Sequence, residues 1–446
     1  KVLVDGEEFF GDDPTLVTKN LRADMIDKVQ LYDKKSDQAD FTGIDDGEKT
    51  KTINLQLKED KKKGYFGKLA IGGGSDGFFN NEGMINVFKG KKKFAAYGIL
   101  SNTGKIGLSW GDRDKFGAGN GDLSINDDGD FQITSMGDDL DSWSGQYDGS
   151  GYPLVQTGGL HYNNKWDRDR QNLHANYKIM KLFVNGDRAS SSQELLQDTT
   201  YYNRSAEHFN NSILRNRLSG SYEWQIDSSS SIKLLVNGSL DHKTSSSFNT
   251  SMMQKNDMLI NQGERETSSV GDNGGINSNL LWRKKLKKKG RTLSLNIAEN
   301  YNRSNQKGTL DATTDFFRQG EIDSSQVIDQ LKTTNNESIS VNTNLTYTEP
   351  LSLASSLIFN YGINVNNNHS NRNSFNQDNS GKYVALDSLY SNDYAFNVLA
   401  HMGGLSYAYT KKKLLVNMGG NVELTNFTQQ DIFLDHEIKL SFVNWY

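Results

Sequence analysis

The sequence contains no cysteine and only three prolines among its 446 residues. Without cysteine there are no disulfides, no thiolate chemistry and no zinc–cysteine sites, and this composition suits an oxidising compartment. No run approaches the roughly 18 consecutive apolar residues of a membrane helix. The first residues also lack the charged and apolar regions of a signal peptide. Any membrane role must therefore come from β-strands.

The composition is polar for a chain of this length. Hydrophobic residues make up 35%, and the mean hydropathy is -0.70. Partly disordered chains and outer-membrane barrels with polar lumens both have such values, but an aromatic content of 10% is too high for disorder. The net charge is -5, and the basic residues form short separate clusters, so we expect no nucleic-acid partner.

Residues 1–60 differ from the rest of the chain. The opening "VLVDGEEFFGDDP" is typical of a strand that turns at Asp5-Gly6. Residues 21–26 suit a short helix followed by a strand, and "TINLQL" places Ile53, Leu55 and Leu57 on one face of another strand. The charged run "KEDKKK" then predicts a boundary, which gives an α+β domain at 1–60 and a second domain at 61–446.

From Gly64 onward the sequence shows repeated period-2 segments. "LLVNMGGNVEL" and "LIFNYGINV" each place apolar residues on one face and Asn or Gly on the other. Several segments approach the 9–11 residues that a transmembrane strand needs. About fourteen such strands fit between Gly64 and Tyr446, so the predicted fold is mostly β, a transmembrane antiparallel β-barrel.

The connections between these segments alternate in length. Short turns at one rim and long loops at the other are typical of bacterial outer-membrane barrels, with the short turns on the periplasmic side. The short connections lie near Gly90 and at 227–231, 283–291, 348–352 and 410–413, and the long polar ones at 102–153, 186–200, 244–268, 305–335 and 367–393.

Aromatic residues cluster just before the short turns. Strands are rich in aromatics in general, but that does not explain this placement. Amphipathic rings favour the depth of the lipid headgroups, so these residues predict an interfacial girdle. The residues are Tyr222, Trp224, Trp282, Tyr347, Tyr407 and Tyr409.

Two motifs have both a functional and a structural interpretation. "GGGSDG" at 72–77 fits dinucleotide-binding and nucleophile-elbow patterns, but a strand follows it, so we predict a hairpin turn. No nucleophile, acid/base pair or metal set emerges, and we expect no enzyme activity and no catalytic residue. Lysine triplets at 61–63, 91–93, 287–289 and 411–413 predict a basic ring, which either attracts acidic partners or lipid phosphates or consists of solvated turn residues that blunt strand pairing.

The segment 111–148 is rich in aspartate. Asp127, Asp128 and Asp130 are candidate calcium ligands because calcium prefers oxygen donors, although "NDDGD" lacks the EF-hand spacing and solvated acidic loops are common. Calcium is the one cofactor that the sequence suggests.

Three stretches within residues 2–74 resemble the second half of the plug domain of TonB-dependent receptors. They are "DGEEFFGDDP", "IDKVQLYDKKSDQADFTGIDDG" and "KTINLQLK", in this order. The resemblance is to the branch with carboxypeptidase-like regulatory domains, related to the starch-utilisation-type importers. It implies a 22-stranded barrel whose lumen holds the plug. The remaining chain resembles the family only in its barrel pattern.

The resemblance also implies that the native protein is longer. No TonB box is visible, and we expect the signal peptide, the regulatory domain, the first half of the plug and about eight barrel strands to lie outside this sequence. We expect the strand at 440–446 to pair with a segment outside the sequence or to border a poorly ordered gap.

Candidate site residues lie in the plug segment. Phe9, Phe10, Asp12 and Asp13 at its tip are candidates for ligand contact. A second set is expected to hold the plug in the lumen through turns and salt bridges. This set is Asp5, Gly6, Gly11, Pro14, Tyr32, Asp33, Asp37, Gly43, Asp45, Asp46 and Gly47.

Two functions remain open at this point. The first is import of a glycan, a peptide or another large nutrient across the outer membrane of a Gram-negative bacterium. The second is a non-transporting barrel that serves as a subunit of a larger assembly or secretion machine. The expected partners are outer-membrane lipid and the TonB energy-coupling complex, a surface lipoprotein or other outer-membrane proteins.

Overall fold

The computed structural model describes residues 2–8, 21, 23–35, 41, 49–105, 143, 147–196, 199–411 and 414–446. These residues are almost entirely strands in two sheets, with three short 3-10 helices at Ala23–Met25, Glu59–Lys61 and Ser75–Gly77. In this part of the chain, no helix is long and apolar enough to cross a membrane.

A small sheet contains the first four strands, β1 (Val2–Val4), β2 (Glu7–Glu8), β3 (Ile26–Lys35) and β4 (Lys49–Leu57), in the order β2-β1-β4-β3. The β1–β2 turn has φ values of 53° at Asp5 and 81° at Gly6, as a type I′ hairpin requires. This confirms the turn predicted from the sequence.

The helix predicted at 21–26 is wrong in its extent. Only Ala23–Met25 forms a 3-10 turn, and β3 begins at Ile26. Val29, Leu31 and Tyr32 favour extended backbone, and β3 gains a full ladder of pairs with β4. The strand predicted from "TINLQL" is confirmed as β4, in which Leu55 and Leu57 are buried and Ile53 is 37% exposed.

The large sheet is antiparallel throughout. Fourteen strands follow one another in chain order from β5 to β19, and β16 pairs with β15 beside this path. β5 and β19 are the two ends of the order and do not pair with each other within the described residues. The fourteen strands predicted from the sequence are confirmed, and the expected strands beyond Tyr446 stay a prediction. The strands are β5 (Lys63–Gly73), β6 (Phe79–Lys89), β7 (Lys92–Ser101), β8 (Tyr152–Trp166), β9 (Gln171–Leu196), β10 (Thr199–Gln225), β11 (Ser230–Lys255), β12 (Met258–Lys285), β13 (Thr292–Arg318), β14 (Glu321–Pro350), β15 (Ser355–Gln377), β16 (Tyr383–Leu386), β17 (Asn392–Lys411), β18 (Leu414–Asp431) and β19 (His436–Trp445).

The two faces of the large sheet differ in chemistry. We call the face that contacts the small sheet the inner face and the opposite one the outer face. On β15 the outer face carries Leu357, Phe359, Tyr361, Ile363 and Val365, which pair with the outer row of β14 and so continue one apolar band. This stretch of nine residues has the length of a transmembrane strand, and the predicted alternation is confirmed.

Four of the five predicted long loops are wrong. Residues 186–200, 244–268, 305–335 and 367–393 lie largely in strands, and β14 alone has 30 residues. Two-residue turns close two of these hairpins, at Asn256-Asp257 with φ values of 45° and 66° and at Gln319-Gly320 with φ values of 55° and 89°. Both faces of these extensions are polar, so the alternation that reveals a strand is absent from the sequence. In the fifth loop, residues 106–142 lie outside the described residues.

The prediction of an aromatic girdle at the rim with the short turns is confirmed. All six girdle aromatics lie on the outer face near strand ends, and Trp282 is paired with Leu295 while Tyr407 is paired with Leu357. The motif at 72–77 connects β5 to β6, which confirms the hairpin. The antiparallel order places the turns near Lys91 and Lys288 at this same rim.

Candidate functional site

The small sheet packs against the inner face of β6 and β7. Its residues and those of the two wall strands form one buried apolar cluster, which Phe66 of β5 also contacts. The outer face of the same wall carries the apolar residues Ile85, Val87 and Phe94, each more than one third exposed. The buried residues are Val2, Val4, Leu21, Met25, Leu55, Leu57, Met84, Phe88, Ala95, Tyr97 and Ile99.

The turn at Asp5-Gly6 is fixed from both sides. The backbone N–H of Asp5 donates to Leu55 O at 2.9 Å, and Leu57 N–H donates to Asp5 Oδ1 at 2.9 Å. On the wall side, Lys93 Nζ donates to Val4 O at 2.8 Å and lies 3.7 Å from Asp5 Oδ2. Because Lys93 is only 4% exposed, it is a buried polar anchor between the two sheets.

A polar cluster lies beside Lys93 on the inner face. His161 Nδ1 is 2.6 Å from Asn176 Oδ1, and Asn176 Nδ2 is 2.9 Å from His174 Nε2. The two imidazole rings pack edge to face with centroids 4.9 Å apart. Asn163 is paired with both Lys93 and His174. Buried hydrogen-bonded groups of this kind stiffen the wall next to the anchor.

Charged groups continue along this part of the inner face. Glu82 is 7% exposed and forms ion pairs with Lys68, at 2.7 Å, and with Lys105. Farther along the sheet, Arg215 Nε donates to Asp241 Oδ2 at 2.9 Å, and Arg215 is 2% exposed. The inner face from β5 to β11 is therefore a charged wall.

Part of the connection between β7 and β8 also lies on the inner face. Trp143 and Tyr147 pack on a buried cluster that includes Leu182 and Phe209, and Lys243 Nζ donates to Trp143 O at 2.9 Å. At Gly151, φ is 77°, and a Cβ atom would lie 2.5 Å from Asn185 O, so only glycine fits.

The inner face of β13, β14 and β15 has a different character. The rows that run from Thr292 to Asn302, from Ser338 to Thr348 and from Asn360 to Asn368 contain no charged side chain. Asn302 and Asn342 are exposed, and the other carboxamides are partly exposed. We call six of them the amide face: Asn296, Asn300, Asn342, Asn344, Asn360 and Asn364.

Aromatic rings border the amide face. Asn368 is paired with Phe396 of β17, and Phe427 of β18 is paired with Val398. The rings of Phe396 and Phe427 pack edge to face with centroids 4.6 Å apart. Amides and aromatic rings are thus neighbours on the inner face of β13 to β18.

A second contact joins the N-terminal domain to the barrel. The Phe41 ring lies 5.1 Å from Arg283 Cζ and 5.6 Å from Lys285 Nζ, both on β12 at the rim with the short turns. Cations over an aromatic ring are attracted by its quadrupole. This contact lies five strands away from the Lys93 anchor.

Most predicted site residues cannot be compared with the structure. Phe9, Phe10, Asp12 and Asp13 lie outside the described residues, and their role in ligand contact stays a prediction. Of the structural set, Asp5 and Gly6 form the turn described above, and Tyr32 and Asp33 lie on β3 opposite Thr52 and Lys51. The remaining seven are also outside: Gly11, Pro14, Asp37, Gly43, Asp45, Asp46 and Gly47.

The calcium prediction also stays untested. Asp127, Asp128 and Asp130 lie outside the described residues. Within the residues that are described, no three His, Cys, Asp or Glu side chains are grouped as metal ligands.

Sequence reasoning missed Lys93 and the amide face. Lys93 was read as part of a basic run, although its place in the period-2 pattern of β7 puts it on the same face as Ala95 and Tyr97. The asparagines were visible as the polar side of each strand, but only the register shows that they are neighbours.

The family comparison agrees with this architecture. Residues 284–446, which include β13 to β19, match a family model described as "Outer membrane protein beta-barrel family". With the antiparallel strands and the apolar outer band, this defines the class of protein. The chain forms a transmembrane β-barrel of the Gram-negative outer membrane.

Two outer-membrane receptors are among the solved structures that the comparison matched to this chain. The alcaligin outer membrane receptor FauA from Bordetella pertussis has 9% identity, with 100% of this chain and 86% of that chain covered and a TM-score of 0.18. The siderophore receptor PiuA from Acinetobacter baumannii has 7% identity, coverage of 100% and 82%, and a TM-score of 0.20. Such low TM-scores carry no argument about fold or function. No curated protein matches the chain.

Proposed function

We propose that this protein is a plugged receptor that imports a large nutrient, such as a glycan or a peptide, across the outer membrane. The observation that carries the proposal is the small sheet seated on the inner face of β6 and β7 through a buried cluster and the Lys93 anchor. A folded domain inside a barrel blocks free diffusion, and its removal or rearrangement opens a path.

The interface is suited to a plug that moves. Its apolar part lies on β6 and β7, with one further contact from Phe66 of β5, and its polar part centres on Lys93, which contacts Val4 and Asp5. A pulling force applied to the N-terminal domain has few strong contacts to break. Coupling to the TonB complex and cooperation with a surface lipoprotein are part of this proposal.

Growth and uptake in cells test the proposal. A strain without the gene, complemented with the native protein or with an empty vector, is grown on single polymers and peptides as sole carbon source. We expect the native protein to restore growth on at least one of them. If the protein is present and folded in the outer membrane and no substrate shows a difference in uptake, the import function is wrong.

A further inference from the structure

We propose that the turn between β12 and β13 binds the phosphate group of an anionic phospholipid, a function separate from import. The stretch "RKKLKKKGR" at 283–291 contains seven basic residues and lies at the rim with the short turns. For such lysine runs the sequence alone allows acidic partners, lipid phosphates or solvated residues that blunt strand pairing. The structure favours lipid phosphate for this turn.

The turn has a fixed shape that presents its lysines. Leu286 N–H donates to Arg291 O at 2.9 Å, and Arg291 N–H donates to Lys288 O at 3.0 Å. Residues 287–289 therefore lie at the tip, and all three are exposed. Both β12 and β13 are paired along both of their edges. Because there is no free strand edge here, blunting of strand pairing does not explain these lysines.

The turn carries more positive than negative charge. Lys288 Nζ donates to Glu349 Oε1 at 2.7 Å, and Arg291 Nε donates to Glu349 Oε2 at 2.7 Å, so two cations share one carboxylate. Lys287 and Lys289 form no ion pair within the part of the chain that the structure describes. An anion at the tip of the turn is therefore attracted by several cations at once.

Two other lysine triplets are largely neutralised. In 61–63, two of the three lysines form ion pairs with neighbouring carboxylates. In 91–93, Lys91 forms an ion pair with Asp169, and Lys93 is the buried anchor of the small sheet. The side chains of 411–413 lie outside the described residues. The predicted basic ring is thus uneven, and residues 287–289 keep their charge available.

The depth of the turn matches that of lipid headgroups. Glu349 is paired with Leu357, where the apolar outer band of β15 begins. The hydroxyl of Tyr347, one of the girdle residues, donates to Glu349 Oε2 at 2.6 Å. Girdle aromatics lie at the level of the headgroups, so the cations that Glu349 holds continue the lipid-facing surface at its lower edge.

Exposed leucines accompany the lysines. Leu286 precedes the lysine triplet, and Leu351 and Leu353 lie in the neighbouring β14–β15 turn, with more than half of each of the latter two side chains exposed. A turn surrounded only by water gains nothing from exposed leucines. Lysine and leucine side by side at a membrane interface bind phosphate and apolar chains together.

The excess of positive charge selects anionic lipids. Every phospholipid has a phosphate, but in zwitterionic lipids a cationic headgroup balances it. A lysine near an anionic membrane surface contributes about 1 kcal/mol, which corresponds to about a fivefold gain in affinity. An acidic soluble protein offers the same charge but no acyl chain for Leu351 and Leu353.

Native mass spectrometry of the purified full chain in detergent tests the proposal. The protein is titrated with phosphatidylglycerol and with phosphatidylcholine of the same acyl chains, and bound lipids are counted. We expect phosphatidylglycerol to bind more tightly. Lys287→Gln combined with Lys289→Gln should weaken phosphatidylglycerol binding about twentyfold and leave phosphatidylcholine unchanged. Leu351→Ser combined with Leu353→Ser should weaken both lipids.

Two double variants serve as controls. Lys58→Gln combined with Lys382→Gln removes the same charge from exposed positions away from this turn and should leave binding unchanged. Lys287→Arg combined with Lys289→Arg keeps the charge and should retain most of the binding. Heat modifiability on gels shows whether each variant forms its barrel.

Four outcomes would overturn the proposal. Two are equal affinity for both lipids and native-like phosphatidylglycerol binding by the double glutamine variant. Full displacement of the lipid by an equal concentration of glycerophosphoglycerol would identify a soluble phosphate as the ligand. Binding of polyglutamate that is tighter than that of phosphatidylglycerol, and lost in the glutamine variant, would identify an acidic protein partner. Uptake is not measured here, so each of these outcomes leaves the import function standing.

Discussion

The wall strands β6–β9 and the wall strands β13–β15 share one architecture but have different inner faces. The first wall covers its inner face with the small sheet and fixes it through buried apolar residues, Lys93 and the histidine–asparagine cluster. The second wall leaves uncharged carboxamides at least partly exposed. Since both outer faces are apolar, the two walls differ in their inward-facing residues, which hold the small sheet in the first wall and present uncharged carboxamides in the second.

The largest effect should come from the apolar contact that distinguishes the first wall. Leu57→Ala removes a side chain that is 3% exposed and leaves a cavity at the contact, which costs about 2–5 kcal/mol. We expect a leaky barrel, measured as higher conductance in planar bilayers and faster proteolysis of residues 1–60. Ile53→Ala on the same strand, where the side chain is 37% exposed, is the matched control. Equal effects of the two variants would contradict the packing described for this wall.

The polar anchor should have the next largest effect. Lys93→Met removes the bond to Val4 O and the ion pair with Asp5, with a cost of about 1.5–3 kcal/mol for a charged hydrogen bond lost from a buried site. Proteolysis of the N-terminal domain and channel conductance are the measurements. Lys92→Met alters the neighbouring exposed lysine and should behave like the native protein. An unchanged Lys93→Met protein would show that the apolar cluster and the Phe41 contact hold the N-terminal domain without this lysine.

The sequence pattern predicted the membrane strands, but it did not predict the strand extensions or the neighbours on the inner face. On β15, Leu357 to Val365 alternate with Asn and Gly, and this alternation reveals a membrane strand because one face meets lipid. The hairpin at 305–335 has polar residues such as Gln330, Lys332 and Thr334 on its buried row, so it carries no such pattern and resembles a loop. The neighbours on the inner face could not be predicted either. Asn342 and Asn364 are paired only because of the strand register, which the turns determine.

The contact between Lys93 and Val4 could not be predicted from the sequence. Its place in β7 could be read from alternation, but its partner Val4 O belongs to the backbone of another domain, and a backbone carbonyl has no sequence signature. The turn at Asp5-Gly6 was predicted because its residue types demand a positive φ. That this turn docks on the wall required the tertiary structure.

The charge pattern of the first wall gives a smaller effect. Glu82→Gln removes the carboxylate that Lys68 and Lys105 share, at a cost of about 1–2 kcal/mol because Lys68 is 59% exposed and partly screened by water. The open channel should then favour anions more strongly, as reversal potentials in a salt gradient would show. Glu59→Gln, which changes an exposed carboxylate paired with Lys62, is the control. An unaltered ion selectivity would show that the charged wall does not line the open path.

The smallest effect concerns the β10–β11 turn, which lies at the rim of the charged wall. The Oγ and N–H of Ser229 donate to Asp227 Oδ1 at 2.7 and 2.6 Å, and Lys284 Nζ lies 3.3 Å from Oδ2. These contacts, the Ser229 hydroxyl first, lower the pKa of Asp227 to about 2.

A carboxyl whose pKa is lowered by folding stabilises the folded state above the unfolded value of about 4 and loses this contribution as the pH falls toward 2. Asp227 is exposed, so the change in stability should be small and confined to that window. Unfolding of the native protein and of Asp227→Asn, followed on gels between pH 2 and pH 5, measures it. The two proteins should differ most at pH 5 and converge near pH 2, and a difference that grows on acidification would contradict the assigned hydrogen bonds.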